Sequence, residues 1–285
     1  RVVTGATPYG QGHETTWAMI VSDRTGVAMD RIDVIHGDTD QVDRGGLTVG
    51  SRSVQLGGSA IAAATGQLVD RAREAAAELM EAAVDDVVLD TDAGAFHVAG
   101  SPALQVPWEQ VASSLETALI EEHDFTAEMP TFPCGAHIAV VEVDTETGAT
   151  RLLRLLGVDD AGTLLNPLLA EGQIHGGMAQ GIAQVLMEEI VYDDDGNLIT
   201  GNFLDYAVIS AAEVPSFETV HLATPTWVNE LGAKGVGESG TVGAIPAVYN
   251  AVIDAVADLG VRHLETPITA EKMWRALAAS RQERS

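Results

Sequence analysis

Apolar and polar positions along this chain alternate between two periods. At residues 13–25, Trp17, Ile20, Val21 and Arg24 fall at i, i+3, i+4 and i+7, which predicts a helix that Gly26 closes. Residues 32–35 read as a short strand and 37–58 as a long loop. Residues 59–83 predict the longest helix, with Ile61, Leu68, Ala72, Leu79 and Ala83 on one face. Period two returns at 87–98, a hairpin turning at 92–94, and a weaker helix follows Pro107 over 108–119. Residues 136–144 and 150–158 alternate on either side of Thr-Glu-Thr-Gly and predict a second antiparallel hairpin. Beyond it come a helix over 167–189, a hairpin over 190–199, a strand at 220–223, and helices at 246–259 and 269–278.

Antiparallel strands mixed with helices predict the α+β class. The connector at 125–133 carries two prolines, so two mixed strand/helix subdomains are expected, 1–130 and 131–285. The chain opens on Arg1 in what reads as a strand already in progress, so the first subdomain is expected to lack its N-terminal part.

Composition narrows the picture. The 285 residues hold 15 Lys+Arg against 42 Asp+Glu, a formal charge of -27. So acidic a chain repels phosphate backbones and anionic headgroups, which argues against nucleic acid and membrane surfaces. Yet 46% of residues are hydrophobic, too many for an acidic disordered tail. No uninterrupted apolar run of 18 residues occurs, so no membrane span is expected. Cys134 stands alone, which leaves no intrachain disulfide and no cysteine-based metal cluster. A cytoplasmic location is expected.

Candidate chemistry sits in Gly-rich segments. Gly10, Gln11, Gly12 and His13 precede a helix, where free N–H groups and a helix dipole meet whatever docks. Gln11 can donate and accept towards a heterocycle edge; a tight turn with Gln11 in solvent fits the same residues. Thr48, Gly50, Ser51, Arg52 and Ser53 offer hydroxyls, amides and a guanidinium to a phosphate, although Arg52 can equally pair with one of the many carboxylates. Asn166 and Gln173 flank a helix start followed by Gly176 and Gly177, a pattern that suits either a polar ligand or close helix packing. Lys234, Gly235, Val236, Gly237 and Glu238 place a cation and a lone carboxylate among glycines, as a catalytic base or as a favourable acidic helix start.

Five segments occur together and in order: GQGHETT at 10–16, HGDTD at 36–40, GSRS at 50–53, NPLLAEGQIHGG at 166–177 and GAKGVGES at 232–239. Carrying them, the chain resembles the C-terminal half of the molybdenum-binding large subunit of the xanthine dehydrogenase / aldehyde oxidase / aerobic carbon-monoxide dehydrogenase family. The wording of the motifs is most similar to the bacterial branch that uses molybdopterin cytosine dinucleotide. The resemblance implies that Gln11 and its glycines contact the pterin–dithiolene part. It implies that residues 50–53 bind the pyrophosphate and nucleotide, and that Asn166 and Gln173 also face the cofactor. Glu238 matches the family's catalytic glutamate, which would take a proton from the attacking hydroxyl group at molybdenum. Molybdenum would be held by the cofactor dithiolene, with no protein ligand. Electrons would leave through 2Fe–2S clusters and FAD on partner chains. The implied partners are the N-terminal half of the large subunit, an iron–sulfur subunit and an FAD subunit, in a dimer of the heteromeric assembly, and the chain alone would be inactive. Ala161 stands where the family commonly has Cys, and Glu230 where it commonly has Pro. The substrate-facing loop of the family lies outside the matching segments. An alternative is a non-catalytic half-subunit for assembly or cofactor binding.

Overall fold

The computed structural model describes residues 1–284 and divides into two compact units. The first holds Arg1–Thr131 and Pro225–Lys234, the second Phe132–Thr224 and Gly235–Ser285. Neither unit is one continuous stretch, whereas the two prolines at 125–133 predict a single cut near 130.

The first unit opens with β1 (Val2–Thr4) and β2 (Ala6–Thr7), then α1 (His13–Thr25). Gly26 ends α1 in the left-handed region at φ 70°, its N–H donating to the Ser22 carbonyl. Two short strands, β3 (Val34–His36) and β4 (Gly46–Leu47), pair parallel with β1 and β2 respectively. A π-helical turn at Val54–Gly58 leads into α2 (Ser59–Leu79). Its buried stripe is Ile61, Ala62, Thr65, Val69, Ala72 and Ala76, while Leu79 is exposed. The expected face is therefore rotated. Small residues at 62, 72 and 76 permit close packing, and Leu79 falls at the fraying end. Strands β5 (Val87–Asp90), β6 (Ala95–Val98) and β7 (Gln105–Pro107) form an antiparallel sheet, followed by a short α3 (Trp108–Ser114). Phe96 packs edge-on to Trp108, at a ring distance of 4.9 Å, and the Trp108 indole N–H donates to Thr25 O at 2.8 Å.

The second unit is built on a long hairpin, β8 (Cys134–Val143) and β9 (Thr150–Asp160), to which β10 (Glu218–Leu222) adds parallel to β9. Along β8, Ala139, Val141 and Val143 point inward onto the core, and Ile138 and Val140 point outward. Helices α4 (Pro167–Leu186), α5 (Ser239–Ala257) and α6 (Ala270–Arg284) complete the unit. Ile174, Met178 and Ile182 of α4 meet Val248, Val252 and Val256 of α5 in its core.

The α+β class holds, with three parallel strand pairs that the pattern did not announce. Two predictions fail locally. Residues 190–199 make one isolated bridge, Tyr192 to Leu198, instead of a hairpin. Helix α5 begins at Ser239 and carries Pro246 inside it, seven residues earlier than the sequence suggested. Among the described residues α5 is also long and apolar enough to cross a membrane by length and mean hydropathy (1.3), although it contains no uninterrupted apolar run. Burial of its Ala244, Val248, Val252 and Val256 in the core accounts for that composition.

Candidate functional site

In the first unit, Gly10 and Gly12 take φ values of 101° and 77°, which only glycine adopts readily. Gly12 is the N-cap of α1 and supplies no side chain, so the helix start presents backbone N–H groups. A methyl group on Gly10 would meet nothing within 4 Å, so its face of the loop is open. Gln11 folds back, its side-chain oxygen accepting from the Tyr9 N–H. His13 is buried and tilted onto Trp17, with ring centroids 5.1 Å apart, and its Nδ1 has no hydrogen-bond partner. Burial depresses its pKa below the ordinary histidine value, a bond to the Ala6 backbone opposes this, and nearby His36 adds to it. The His36 Nε2 lies 3.0 Å from the Glu14 carboxylate, so this ring bonds across 22 residues and not only locally.

The 48–53 loop is built by a left-handed pair, Gly50 at φ 67° and Ser51 at φ 51°. The Thr48 hydroxyl donates to Thr7 O at 2.6 Å and accepts from Ser53 at 3.3 Å, and Gln55 bonds Ser51 O at 2.9 Å. Gly50, like Gly10, faces open space. Arg52 is exposed and makes no ion pair among the described residues, despite the acidity of the chain. The left-handed pair Gly50–Ser51, the Thr48 and Ser53 hydroxyls and the exposed Arg52 guanidinium lie on one short loop, a set of groups that suits an anion.

The Gly-Ala-Lys segment is held by a residue that the sequence reading passed over. The Asn229 side chain donates to Ala233 O at 2.9 Å and accepts from Ala233 N at 3.2 Å, and it is buried. That reciprocal amide clamp, with Gly232 at φ 66°, fixes the backbone that enters Lys234. The signal was an amide three residues before Gly232, close enough to close the loop. Glu230, in the position where the family commonly has Pro, pairs with Arg24 at 3.2 Å.

In the second unit, Asn166 is the N-cap of α4, its Oδ1 accepting from Leu169 N at 3.1 Å, with Pro167 at the first helical position. Gln173 lies two turns on, half-buried, its side chain without a hydrogen bond among the described residues. Gly176 faces open space, whereas Gly177 and Gly181 are where α5 crosses α4. The Thr241 hydroxyl donates to Gly177 O at 2.9 Å, and a methyl on Gly240 would collide with Ile174 O. This crossing sets the first turn of α5 beside the turn of α4 that carries Gln173. Glu238 is the exposed N-cap of α5, its carbonyl accepting from Val242 N at 3.0 Å; Gly235, Val236 and Gly237 form the approach to it.

A second buried cluster was also missed. His137 Nε2 lies 3.1 Å from the Asp159 carboxylate, both nearly sealed from solvent. Gly243 leaves room for the imidazole: a methyl there would lie 2.5 Å from it. The adjacent Asp160 is buried and accepts from Gly162 N at 2.8 Å and Thr224 N at 3.1 Å. On an apolar strand His137 reads from sequence as a satisfied core or interface histidine; its Nε2 is satisfied, its Nδ1 has no partner among the described residues. Among the described residues no group of three or more His, Cys, Asp or Glu is placed to hold a metal ion.

The sequence profile described as Molybdopterin cofactor-binding domain matches residues 1–215. The carbon monoxide dehydrogenase large chain of Hydrogenophaga pseudoflava is 38% identical over 281 residues, which are 96% of this chain and 35% of that one. The solved carbon monoxide dehydrogenase from Oligotropha carboxidovorans superposes with a TM-score of 0.90 at 34% identity, over 99% of this chain and 36% of its own. Quinoline 2-oxidoreductase from Pseudomonas putida 86 gives 0.87 at 36% identity, over 97% and 36%. The chain thus spans about a third of the length of these relatives.

Proposed function

Since the chain belongs to the molybdopterin cofactor-binding family, we propose that it is the cofactor-holding and base-supplying part of a molybdenum hydroxylase large subunit. The observation that carries the cofactor-holding part of this reading is the profile match over residues 1–215, which contains the Gly10–His13, Thr48–Ser53 and Asn166–Gln173 segments; Glu238 lies beyond it, within the 281 residues aligned with the Hydrogenophaga pseudoflava large chain. The local geometry suits such a cofactor. Gly10 and Gly50 leave open backbone where side chains would stand, and Arg52, exposed on the 48–53 loop, makes no ion pair among the described residues. Molybdopterin cytosine dinucleotide fits the loops of the first unit: Ser51, Arg52 and Ser53 would hold its pyrophosphate, and Gln11 with the amides at Gly10–His13 would hold its pterin. Lys234 adds positive charge towards the same anion. In the second unit, Asn166 and Gln173 would be the cofactor-facing residues.

When bound, the cofactor supplies two-electron oxidation at molybdenum. This chain supplies the proton acceptor. Glu238 stands exposed at a helix start, on a loop of small residues that lets its carboxylate approach a reacting group to hydrogen-bond distance, about 3 Å. The rest of the large subunit would carry the substrate-facing loop, and separate iron–sulfur and FAD subunits in the cytoplasm would take the electrons. The relatives named for carbon monoxide and for quinoline match the chain at 38% and 36% identity, so the match selects neither substrate.

In the purified native assembly, Glu238→Gln is expected to keep molybdenum and the cytosine nucleotide at wild-type stoichiometry while turnover falls at least 100-fold, in the range usual for loss of a general base. Metal analysis, nucleotide release and steady-state rates check this together. Wild-type turnover in that variant would remove Glu238 from the reaction, and a wild-type assembly without molybdenum would favour a non-catalytic half-subunit.

A further inference from the structure

Two buried side chains of the second unit lie outside the proposed cofactor loops, His137 of β8 and Asp159 of β9. Their side chains are 2% and 6% exposed, and the His137 Nε2 lies 3.1 Å from the Asp159 Oδ2. A buried carboxylate is stable only when paired, and it can only accept, so the ring proton sits on Nε2 and Nδ1 is a bare acceptor. Three glycines clear the space for the pair. A methyl at position 135 would lie 2.6 Å from the Asp159 Oδ1, one at 157 would lie 3.1 Å from the His137 Nε2, and one at 243 would lie 2.5 Å from its Cγ and Nδ1. Gly135 and Gly157 belong to the strands that carry the pair, whereas Gly243 belongs to α5. The imidazole edge thus rests against the α5 backbone itself. The contact lies five residues past the N-cap Glu238, a rise of about 7.5 Å along the helix.

The first turns of α5 are therefore held at two places. Helix α4 holds them at Gly240 and Thr241, where the Thr241 hydroxyl donates to Gly177 O at 2.9 Å. Strand β8 holds them at Gly243, through a ring whose rotation is fixed by its bond to Asp159. An aliphatic contact has no preferred direction, whereas a hydrogen-bonded ring does. We propose that His137 and Asp159 are positioning residues for Glu238: the bonded pair sets the spacing between β8 and the start of α5, and so the place where the Glu238 carboxylate stands. The inference rests on the reading of Glu238 as the proton acceptor. Misplacing a reacting group by about 1 Å can cost roughly 100-fold in rate, so a small shift at Gly243 is enough to be read in turnover.

The test uses the native assembly carrying His137→Leu together with Asp159→Val. Removing one partner alone would strand a buried polar group, whereas replacing both by aliphatic residues is commonly tolerated. Molybdenum content and the melting midpoint are expected to stay near wild type and KM within about twofold, while kcat falls about 10- to 100-fold. In a Glu238→Gln background the same two changes should lower the residual turnover less than about twofold, because the pair acts through that carboxylate. Asp159→Asn alone, which keeps an acceptor for the imidazole N–H, should retain most of kcat. Equal losses in both backgrounds, or wild-type kcat in the double variant, would overturn the proposal. Loss of molybdenum or of assembly would overturn it too, by making the pair a purely structural element. Amide hydrogen exchange in the same assembly gives a readout independent of turnover. Exchange at residues 242–245 should quicken at least about tenfold in the double variant while that of α6 is unchanged. Unaltered exchange at the start of α5 would remove the pair as its seat. Wild-type turnover in Glu238→Gln by itself would instead remove the base, so the two failures are told apart.

Discussion

At the scale of single residues, the structure gives expected ligands a second occupation. Asn166 caps α4, Gln11 closes its own turn, and His13 is wedged beneath the first loop against Trp17. His13 has a measurable consequence. Burial lowers its folded pKa, so the unfolded chain binds the proton more readily. Its neutral form therefore contributes stability that is fully present above the unfolded histidine value of about 6.5 and is lost as pH falls through it. The melting midpoint of the chain should drop between pH 7.5 and 5.5, and His13→Asn should flatten that drop. An unchanged slope in the variant would assign the pH dependence to other groups. Arg52 and Glu238 stand out in the sequence as candidates because each is a charge among glycines. Asn229, Asp159 and His137 do not, because an amide clamp or a buried ion pair exists only once distant backbone closes around it.

At the scale of elements, the period-two and period-3.6 patterns located nearly every helix and the two long antiparallel hairpins. The instructive failure is α5. Residues 237–243 hold three glycines and read as loop, so the helix was placed from Pro246. In the structure Gly240 and Gly243 are helical, Gly240 packed against Ile174 of α4 and Gly243 against His137 of β8, while Gly237 stays in the turn before the helix. Gly177, Gly181 and Gly240 let the two backbones approach, and Thr241 bonds Gly177 O. The packing offsets the low helix propensity of glycine and the hydrogen bond that Pro246 lacks. Gly240→Ala should therefore destabilise, despite the better propensity of alanine, by about 1–3 kcal/mol for overpacking. Chemical denaturation checks the sign: stabilisation would mean that the crossing is loose. Residues 190–199 fail in the opposite direction. Their turn residues are right, but one bridge forms because the flanking Ile190, Tyr192, Leu198 and Ile199 stay exposed and find no packing partner.

At the scale of the whole molecule, a net charge of -27 on 285 residues is self-repulsion spread over both units. Cross-strand and helix-face pairs such as Arg275–Glu271 neutralise little of it, since such exposed pairs contribute at most about 1 kcal/mol each. The melting midpoint should accordingly rise between 10 mM and 500 mM sodium chloride, as screening shortens to a few ångströms. A fall with salt, followed by calorimetry, would show that attractive pairs outweigh the repulsion. The acidity also sharpens the meaning of Arg52, which is exposed on the 48–53 loop and makes no ion pair among the described residues.

The sequence by itself determined the α+β class, the order of most elements and the ordered loops that carry the family resemblance. These depend on local periodicity and on residue types whose chemistry does not need a neighbour. The tertiary structure alone decided which face of α2 is buried, how far back α5 extends, what Gly177 and Gly240 are for, and that His137 meets Asp159. Each of those depends on contacts between residues far apart in the chain, where a few tenths of an ångström of steric room outweighs local propensity. It also decided that the sheet face carrying Ile138 and Val140 together with the Arg154–Glu218 pair is turned to solvent, because alternation fixes two faces but not which of them is covered.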